Sequence, residues 1–193
     1  KNKNKSFSEV LIQLGPSYIK LGQFLATRPD IIGGHFAIEL STLQDNLPTF
    51  PIDISKKIIE EDFNSDISDV FVEFNEPIAA ASIAQVHTGL TPDNQKVAIK
   101  VLRPNIEKKF NDDFKFFYFL SNLLEKLNSN LRRLKFTESI QTMERSVQME
   151  MDLRLEAAAI SEINSNMTDE DEYIIPKIFW EKTSKNILTI EWI

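Results

Sequence analysis

Residues 84–101 read Ala84-Gln85-Val86-His87-Thr88-Gly89-Leu90-Thr91-Pro92-Asp93-Asn94-Gln95-Lys96-Val97-Ala98-Ile99-Lys100-Val101. Two apolar runs, 84–90 and 96–101, flank Thr91-Pro92-Asp93-Asn94. Proline presets a turn dihedral, and Asp and Asn bond back to the local backbone, so the two runs pair as an antiparallel hairpin. The second run holds Val97-Ala98-Ile99-Lys100. A lysine on an apolar strand carries its charge out of the core at one defined place. It either snorkels to water on a plain strand or meets an anion. In a kinase lobe, a lysine in this setting reaches nucleotide phosphates and pairs with a glutamate on a helix.

Immediately upstream lies Ile78-Ala79-Ala80-Ala81-Ser82-Ile83-Ala84-Gln85-Val86-His87. Ordinary kinases place a glycine-rich loop here, covering phosphates with bare backbone. This chain has no glycine between Asn75 and Thr88. Alanine keeps the side chains small but adds a Cβ, which disfavours positive φ. A loop here is therefore expected to be stiffer and to sit differently, with Ser82 and Gln85 as side-chain donors. The same residues also read as a helical turn or a packed strand. Further strands are expected at Phe71-Val72-Glu73-Phe74, Pro176 to Trp180 and Ile187 to Trp192, bringing the sheet to five.

Helical signals flank the strands. Ser6-Phe7-Ser8-Glu9 fits a capping box, opening a helix to Leu14. Gly15-Pro16 breaks it and starts a second helix that stops near Arg28-Pro29. Another runs from His35 to about Leu43, and Asp53 is expected to cap a short one ending near Asp62. Pro104 opens a long helix to about Asn128 holding Phe110, Phe114, Phe116, Phe117, Tyr118 and Phe119. This cluster reads as core against the N-terminal helices, or as a lipid or partner surface. From Thr137 to Asn164, the residues Ile140, Met143, Val147, Met151, Leu155 and Ala158 form one buried stripe. Thr168 to Glu172 reads as a solvated acidic loop.

Two polar constellations sit on these helices. Lys20 and Gln23 share a face, with Gly22 between them allowing close approach; the bland alternative is ordinary surface. Asp152 and Glu156 also share a face, whereas Glu150 lies about 200° around a straight helix from Asp152. A solvated acidic face accounts for them equally well.

Composition limits the function classes. Of 193 residues, 42% are hydrophobic and 26% charged, as in globular proteins, and the net charge of -7 gives nucleic acid no electrostatic footing. Lys1, Lys3 and Lys5 form only a short basic tail. Cysteine is absent, which excludes disulfides and thiolate metal sites, and His35 and His87 are far apart in sequence. No run approaches the ~18 apolar residues of a membrane span, and no signal peptide is visible, so a soluble fragment is expected.

Taken in order, Lys20-Leu21-Gly22-Gln23, the alanine-rich stretch Ala79 to His87, Val97-Ala98-Ile99-Lys100, and Glu150-x-Asp152 with Glu156 resemble the UbiB family of atypical kinases, also called aarF-domain-containing kinases. Leu14-Gly15-Pro16 and Thr27-Arg28-Pro29-Asp30 look like that family too. The resemblance covers essentially the whole chain. It implies an α+β, protein-kinase-like N-lobe with a five-stranded antiparallel sheet, an N-terminal helical extension and inserted helices. Residues 1–65 would be the extension carrying the KxGQ motif, and 66–193 the N-lobe ending at the hinge, with the C-lobe absent.

By the same resemblance, Lys100 would meet the nucleotide and Glu156 would be its partner. Ile78, Ala79, Ala80, Ala81, Ser82, Ile83, Ala84, Gln85 and Val86 would close over the phosphates. Lys20 and Gln23 would close the cleft against Glu150 and Asp152. The cofactor implied is ATP or ADP with Mg²⁺. The chain contains neither His-Arg-Asp nor Asp-Phe-Gly, so catalytic and metal-binding residues are expected in a C-lobe, and the fragment alone is expected to be inactive. The implied role is a kinase or ATPase supporting ubiquinone biosynthesis on a lipid or small molecule, or regulating the biosynthetic proteins. The alternative is a pseudokinase scaffold without turnover. Implied partners are nucleotide, a quinone-precursor lipid, ubiquinone-biosynthesis proteins and a membrane surface, and no nucleic acid. The parent protein would sit at a bacterial inner membrane on the cytoplasmic face, or at a mitochondrial inner membrane.

Overall fold

The computed structural model describes residues 6–43, 47–127, 131–167 and 173–193. Lys1, Lys3, Lys5 and the acidic stretch 168–172 lie outside them. The chain forms two compact units, one drawn from Lys1–Leu47 and Asn105–Val147, the other from Pro48–Pro104 and Gln148–Ile193. The boundary expected at residue 65 is therefore corrected. Contacts, and not chain order, define the units: the helix expected to close the extension joins the sheet, and the inserted helices join the extension.

In the helical unit, α1 (Phe7–Leu14) opens with the expected capping box, in which the Ser6 hydroxyl accepts from Glu9 N–H and the Glu9 carboxylate accepts from Ser6 N–H. Gly15, at φ 105°, turns the chain into α2 (Pro16–Ala26). The short α3 (Pro29–Ile32) and α4 (Gly34–Ser41) follow. Leu11, Leu40 and Leu43 form the small core between them. Gly22 is buried there, and a Cβ on it would come within 2.7 Å of Leu11 Cδ1 and collide with Leu43. The inserted α7 (Ile106–Leu127) turns Phe110, Phe114 and Phe117 inward, and Phe117 meets Tyr18 edge-on at 5.2 Å. Phe116 and Phe119 remain 50% and 65% exposed, so only part of the aromatic cluster is core.

In the sheet unit, α5 (Ile52–Phe63) and α6 (Ile67–Val70) precede β1 (Glu73–Ala80), β2 (Ala84–Leu90) and β3 (Lys96–Leu102), and β4 (Ile187–Glu191) closes the chain. Asp53 lies in the first turn of α5 and is not its cap; Pro51 holds that position. The strand order is β1-β2-β3-β4, all antiparallel. The expected hairpin pairs Val86 with Lys100 and Thr88 with Ala98. Pro77, which has no N–H to donate, is tolerated because β1 is an edge strand with shifted register around it.

Among the described residues four strands form, not five. The expected strand at Pro176 to Trp180 contributes one bridge, Ile178 to Ile190, before a 3-10 turn at Trp180–Lys182. The expected strand at 71–74 begins at Glu73 and runs on to Ala80, and Phe71 before it, 1% exposed, belongs to the core. One sheet face packs Val97, Ile99, Val101 and Ile187 against Ile59, Val70, Phe71 and Phe179. Each such burial contributes about 1.5–3 kcal/mol.

The single helix expected from Thr137 to Asn164 is two. α8 (Phe136–Glu150) ends at Met151, and Asp152, in extended conformation, caps α9 (Leu153–Asn166) by accepting from Arg154 N–H. The break shifts the helical phase. Ile140, Met143, Val147 and Met151 are buried as expected, but beyond it Leu153 and Ala157 are buried while Leu155 and Ala158 are exposed.

Candidate functional site

The register divides the sheet residues between two faces. Gln85, His87, Val97, Ile99, Val101, Ile187 and Thr189 are buried on the α5 side. Val86, Thr88, Ala98, Lys100 and Ile190 alternate with them and are only half-buried. Ala79 pairs with Val86, placing a third small or branched side chain in the Lys100 row. This open face is apolar apart from Lys100 and Thr88.

Lys100 Nζ donates to Glu156 Oε2 at 2.7 Å. Glu156 lies in the first turn of α9, which packs on β4, and Leu153 N–H is tied to the Lys185 carbonyl at 3.0 Å. The helix break is what aims the glutamate: it starts a new helix beside the sheet at Leu153, three residues before Glu156. The side chains of Lys100 and Glu156 are 27% and 44% exposed, so the pair is wet and contributes about 0–1 kcal/mol of stability. Its consequence is placement of an ammonium at the end of an apolar floor.

The expected phosphate-covering stretch is not one loop. Ile78, Ala79 and Ala80 end β1, Ala84, Gln85 and Val86 begin β2, and only residues 81–83 form the turn. The turn closes through Ala81 N–H to the Ala84 carbonyl, 2.8 Å. None of these three residues has positive φ, so alanine, serine and isoleucine fit without the freedom of glycine. Ser82 is fully buried and its hydroxyl has no hydrogen-bond partner.

Gln85 departs from expectation. Its side chain lies on the buried face, where its amide oxygen accepts from Phe50 N–H at 2.9 Å. Its amide nitrogen donates to the Phe50 carbonyl at 3.2 Å and the Ser55 hydroxyl at 2.9 Å. The side-chain donor role read from sequence is therefore corrected: this amide is committed behind the sheet. Beside it, His87 Nδ1 bonds the Asn75 carbonyl at 2.8 Å and Nε2 meets the Ser55 hydroxyl at 2.9 Å. Burial pushes the imidazole below its ordinary value, outweighing the Asn75 hydrogen bond and the charge of Glu76. Strand alternation assigns Gln85 and His87 to one face, but which face is buried needed α5 in place.

Glu150 ends α8, and Asp152 is held in an ion pair by Arg154, with Nε at 2.9 Å and Nη2 at 2.7 Å. That fork keeps its carboxyl below the usual carboxylate range. Both belong to the sheet unit. Lys20 and Gln23 belong to the helical unit, where the Gln23 amide reaches the Leu43 carbonyl at 3.5 Å. An open depression of about 320 Å³ at the other end of the sheet is lined by Glu73, Thr88, Lys96 and Trp192, away from Lys100. Among the described residues, no helix is long and apolar enough to cross a membrane.

Residues 42–193 match the ABC1 atypical kinase-like domain. The chain belongs to the UbiB-type atypical kinase family. It is 40% identical to a probable protein kinase UbiB of Marinobacter nauticus over 94% of its own length and 33% of that protein. A probable protein kinase UbiB of Histophilus somni is 40% identical over 99% of the chain and 37% of that protein. The chain thus spans about a third of the length of these relatives. Among solved structures, the complex of Rv3197 with erythromycin from Mycobacterium tuberculosis matches with TM-score 0.64 and 25% identity, covering 95% of this chain and 46% of that one. The α+β, kinase-like architecture expected of the family is present, with four strands.

Proposed function

We propose that this UbiB-type chain is the nucleotide-binding lobe of an atypical kinase or ATPase that supports ubiquinone biosynthesis, acting on a lipid or small molecule or regulating the biosynthetic proteins. The observation that carries the reading is the 2.7 Å Lys100–Glu156 pair at the end of the half-open sheet face. An ammonium held there by one carboxylate keeps further donors for phosphate oxygens. Ala79, Val86 and Ala98 offer a flat apolar floor to a base. The 81–83 turn would cover the phosphates with its backbone, the Ser82 hydroxyl being fully buried and out of a ligand's reach. The residues present therefore fit ATP or ADP. Mg²⁺ would supply charge neutralisation at the phosphates; its ligands are assigned outside this chain.

Lys20 and Gln23 are assigned to the family's KxGQ motif, whose role in this reading is to exclude a protein substrate. The parent protein acts at a membrane surface, on the cytoplasmic face of a bacterial inner membrane in this reading. The test is calorimetric titration of the full-length protein with ATP and ADP, each with Mg²⁺, beside Lys100→Met. Binding that is lost in the variant supports the reading, and equal binding by both refutes it. A scaffold without turnover is favoured by the glycine-free turn, which lacks the backbone freedom of an ordinary kinase loop. Nucleotide binding with no phosphate release by the full-length protein would select it.

A further inference from the structure

Arg103, just after β3, is held by backbone carbonyls. Its Nε and Nη2 donate to the Ala81 carbonyl at 3.1 and 2.9 Å, and Nη2 also donates to the Pro48 carbonyl at 3.0 Å. Its guanidinium carbon lies 5.7 Å from the Phe50 ring centroid. Its own N–H donates to the Ile83 carbonyl at 2.8 Å. Backbone and side chain of one residue thus hold both ends of the 81–83 turn. The local sequence explains how. Pro104 disfavours helical dihedrals at the residue before it, so Arg103 stays extended after β3 and its N–H keeps facing the turn. A planar fork suits two convergent carbonyl contacts, which a lysine cannot reproduce.

We propose that Arg103 is a positioning residue for the nucleotide: it clamps the 81–83 turn onto the sheet and ties it to the segment Pro48 to Phe50. This inference rests on the nucleotide-binding reading above. An ordinary kinase loop is open and glycine-rich; here the turn is closed by Ala81 N–H to Ala84, by Ile83 to Arg103, and by the guanidinium. Arg103 spends its hydrogen bonds on backbone carbonyls. It acts on the ligand through the turn and not through its own charge.

The test uses the full-length protein and three variants, Arg103→Lys, Arg103→Met and Lys100→Met. Two quantities are read: ADP–Mg²⁺ affinity, and amide hydrogen exchange at Ala81 and Arg103 against Val97 to Val101 as an internal reference. Loss of charge-assisted hydrogen bonds should speed exchange at the turn roughly tenfold in both Arg103 variants, with the reference strand unchanged, and weaken nucleotide several-fold. Arg103→Lys keeps the charge and the stem, and it carries the test if Arg103→Met fails to fold. Wild-type exchange and affinity in Arg103→Lys would overturn the clamp. Weakened affinity in Arg103→Met with unchanged exchange, restored by lysine, would also overturn it, because the charge itself would then be what the ligand meets. Unchanged affinity in Lys100→Met would instead sink the nucleotide reading, leaving the exchange result to judge the clamp alone.

Discussion

The buried polar group behind the hairpin makes a quantitative pH prediction. His87 is fully buried, stacked on Phe74 at a ring separation of 4.4 Å, and bonded at both nitrogens. A carbonyl at Nδ1 can only accept, so Nδ1 carries the proton and Nε2 is the acceptor, taking a proton from Ser55 or from the Gln85 amide 3.0 Å away. A second proton on Nε2 would face the Gln85 amide, itself a donor. With burial, this places the folded imidazole below its ordinary value of 6.5. The unfolded chain therefore binds the proton first. The stabilisation is fully present above pH 6.5 and is lost as pH falls below it, down to the depressed folded value. The slope in that window approaches about 1.4 kcal/mol per pH unit for one proton. The assay is urea denaturation between pH 7.5 and 5.5, above the range where most carboxylates titrate, comparing the protein with His87→Gln. The variant should be less stable at pH 7.5 by about 1–3 kcal/mol for the disrupted network, yet show a much flatter dependence below pH 6.5. Equal slopes in the two proteins would refute the reasoning, because His87 would then titrate alike in the folded and unfolded states.

Gly22→Ala should destabilise the protein by about 1–3 kcal/mol, because the added methyl meets Leu43 and Leu11 inside the small helical core; an unchanged denaturation midpoint would show that the core yields freely. Glu156→Gln should cost under about 1 kcal/mol of stability, since the pair is wet, while weakening ATP binding measured by calorimetry. A large stability loss with unaltered binding would make the pair structural only. Lys20→Ala in the full-length protein should change nucleotide affinity more than the melting temperature, and the reverse pattern would remove Lys20 from the cleft. The isolated 193-residue chain should release no phosphate from ATP above a blank, having neither His-Arg-Asp nor Asp-Phe-Gly; steady release abolished by Lys100→Ala would contradict this.

Sequence alone determined the elements whose causes are local. The Ser6 capping box, the Gly15-Pro16 break, the Thr91 to Asn94 turn and the 84–101 hairpin each follow from dihedral preferences and hydrogen bonds within a few residues. The order of the motifs also sufficed to name the family. Tertiary structure decided the rest. The stripe from Ile140 to Ala158 reads as one period, but the two-residue interruption at Met151 and Asp152 resets the phase, so Leu153 and Ala157 replace Leu155 and Ala158 in the core. Helical periodicity carries no record of such a break when good helix formers continue on both sides. Pro176 to Trp180 has strand composition, yet it meets the free edge of β4 through a single bridge before the chain enters the 3-10 turn at Trp180–Lys182. Gln85 and Arg103 show the same limit at the site. Their chemistry is visible in the sequence, but whether an amide or a guanidinium meets a ligand or a backbone carbonyl depends on what chain folds beside it. For both, that chain is the segment Pro48 to Phe50, more than thirty residues away, and only the folded sheet unit brings it there.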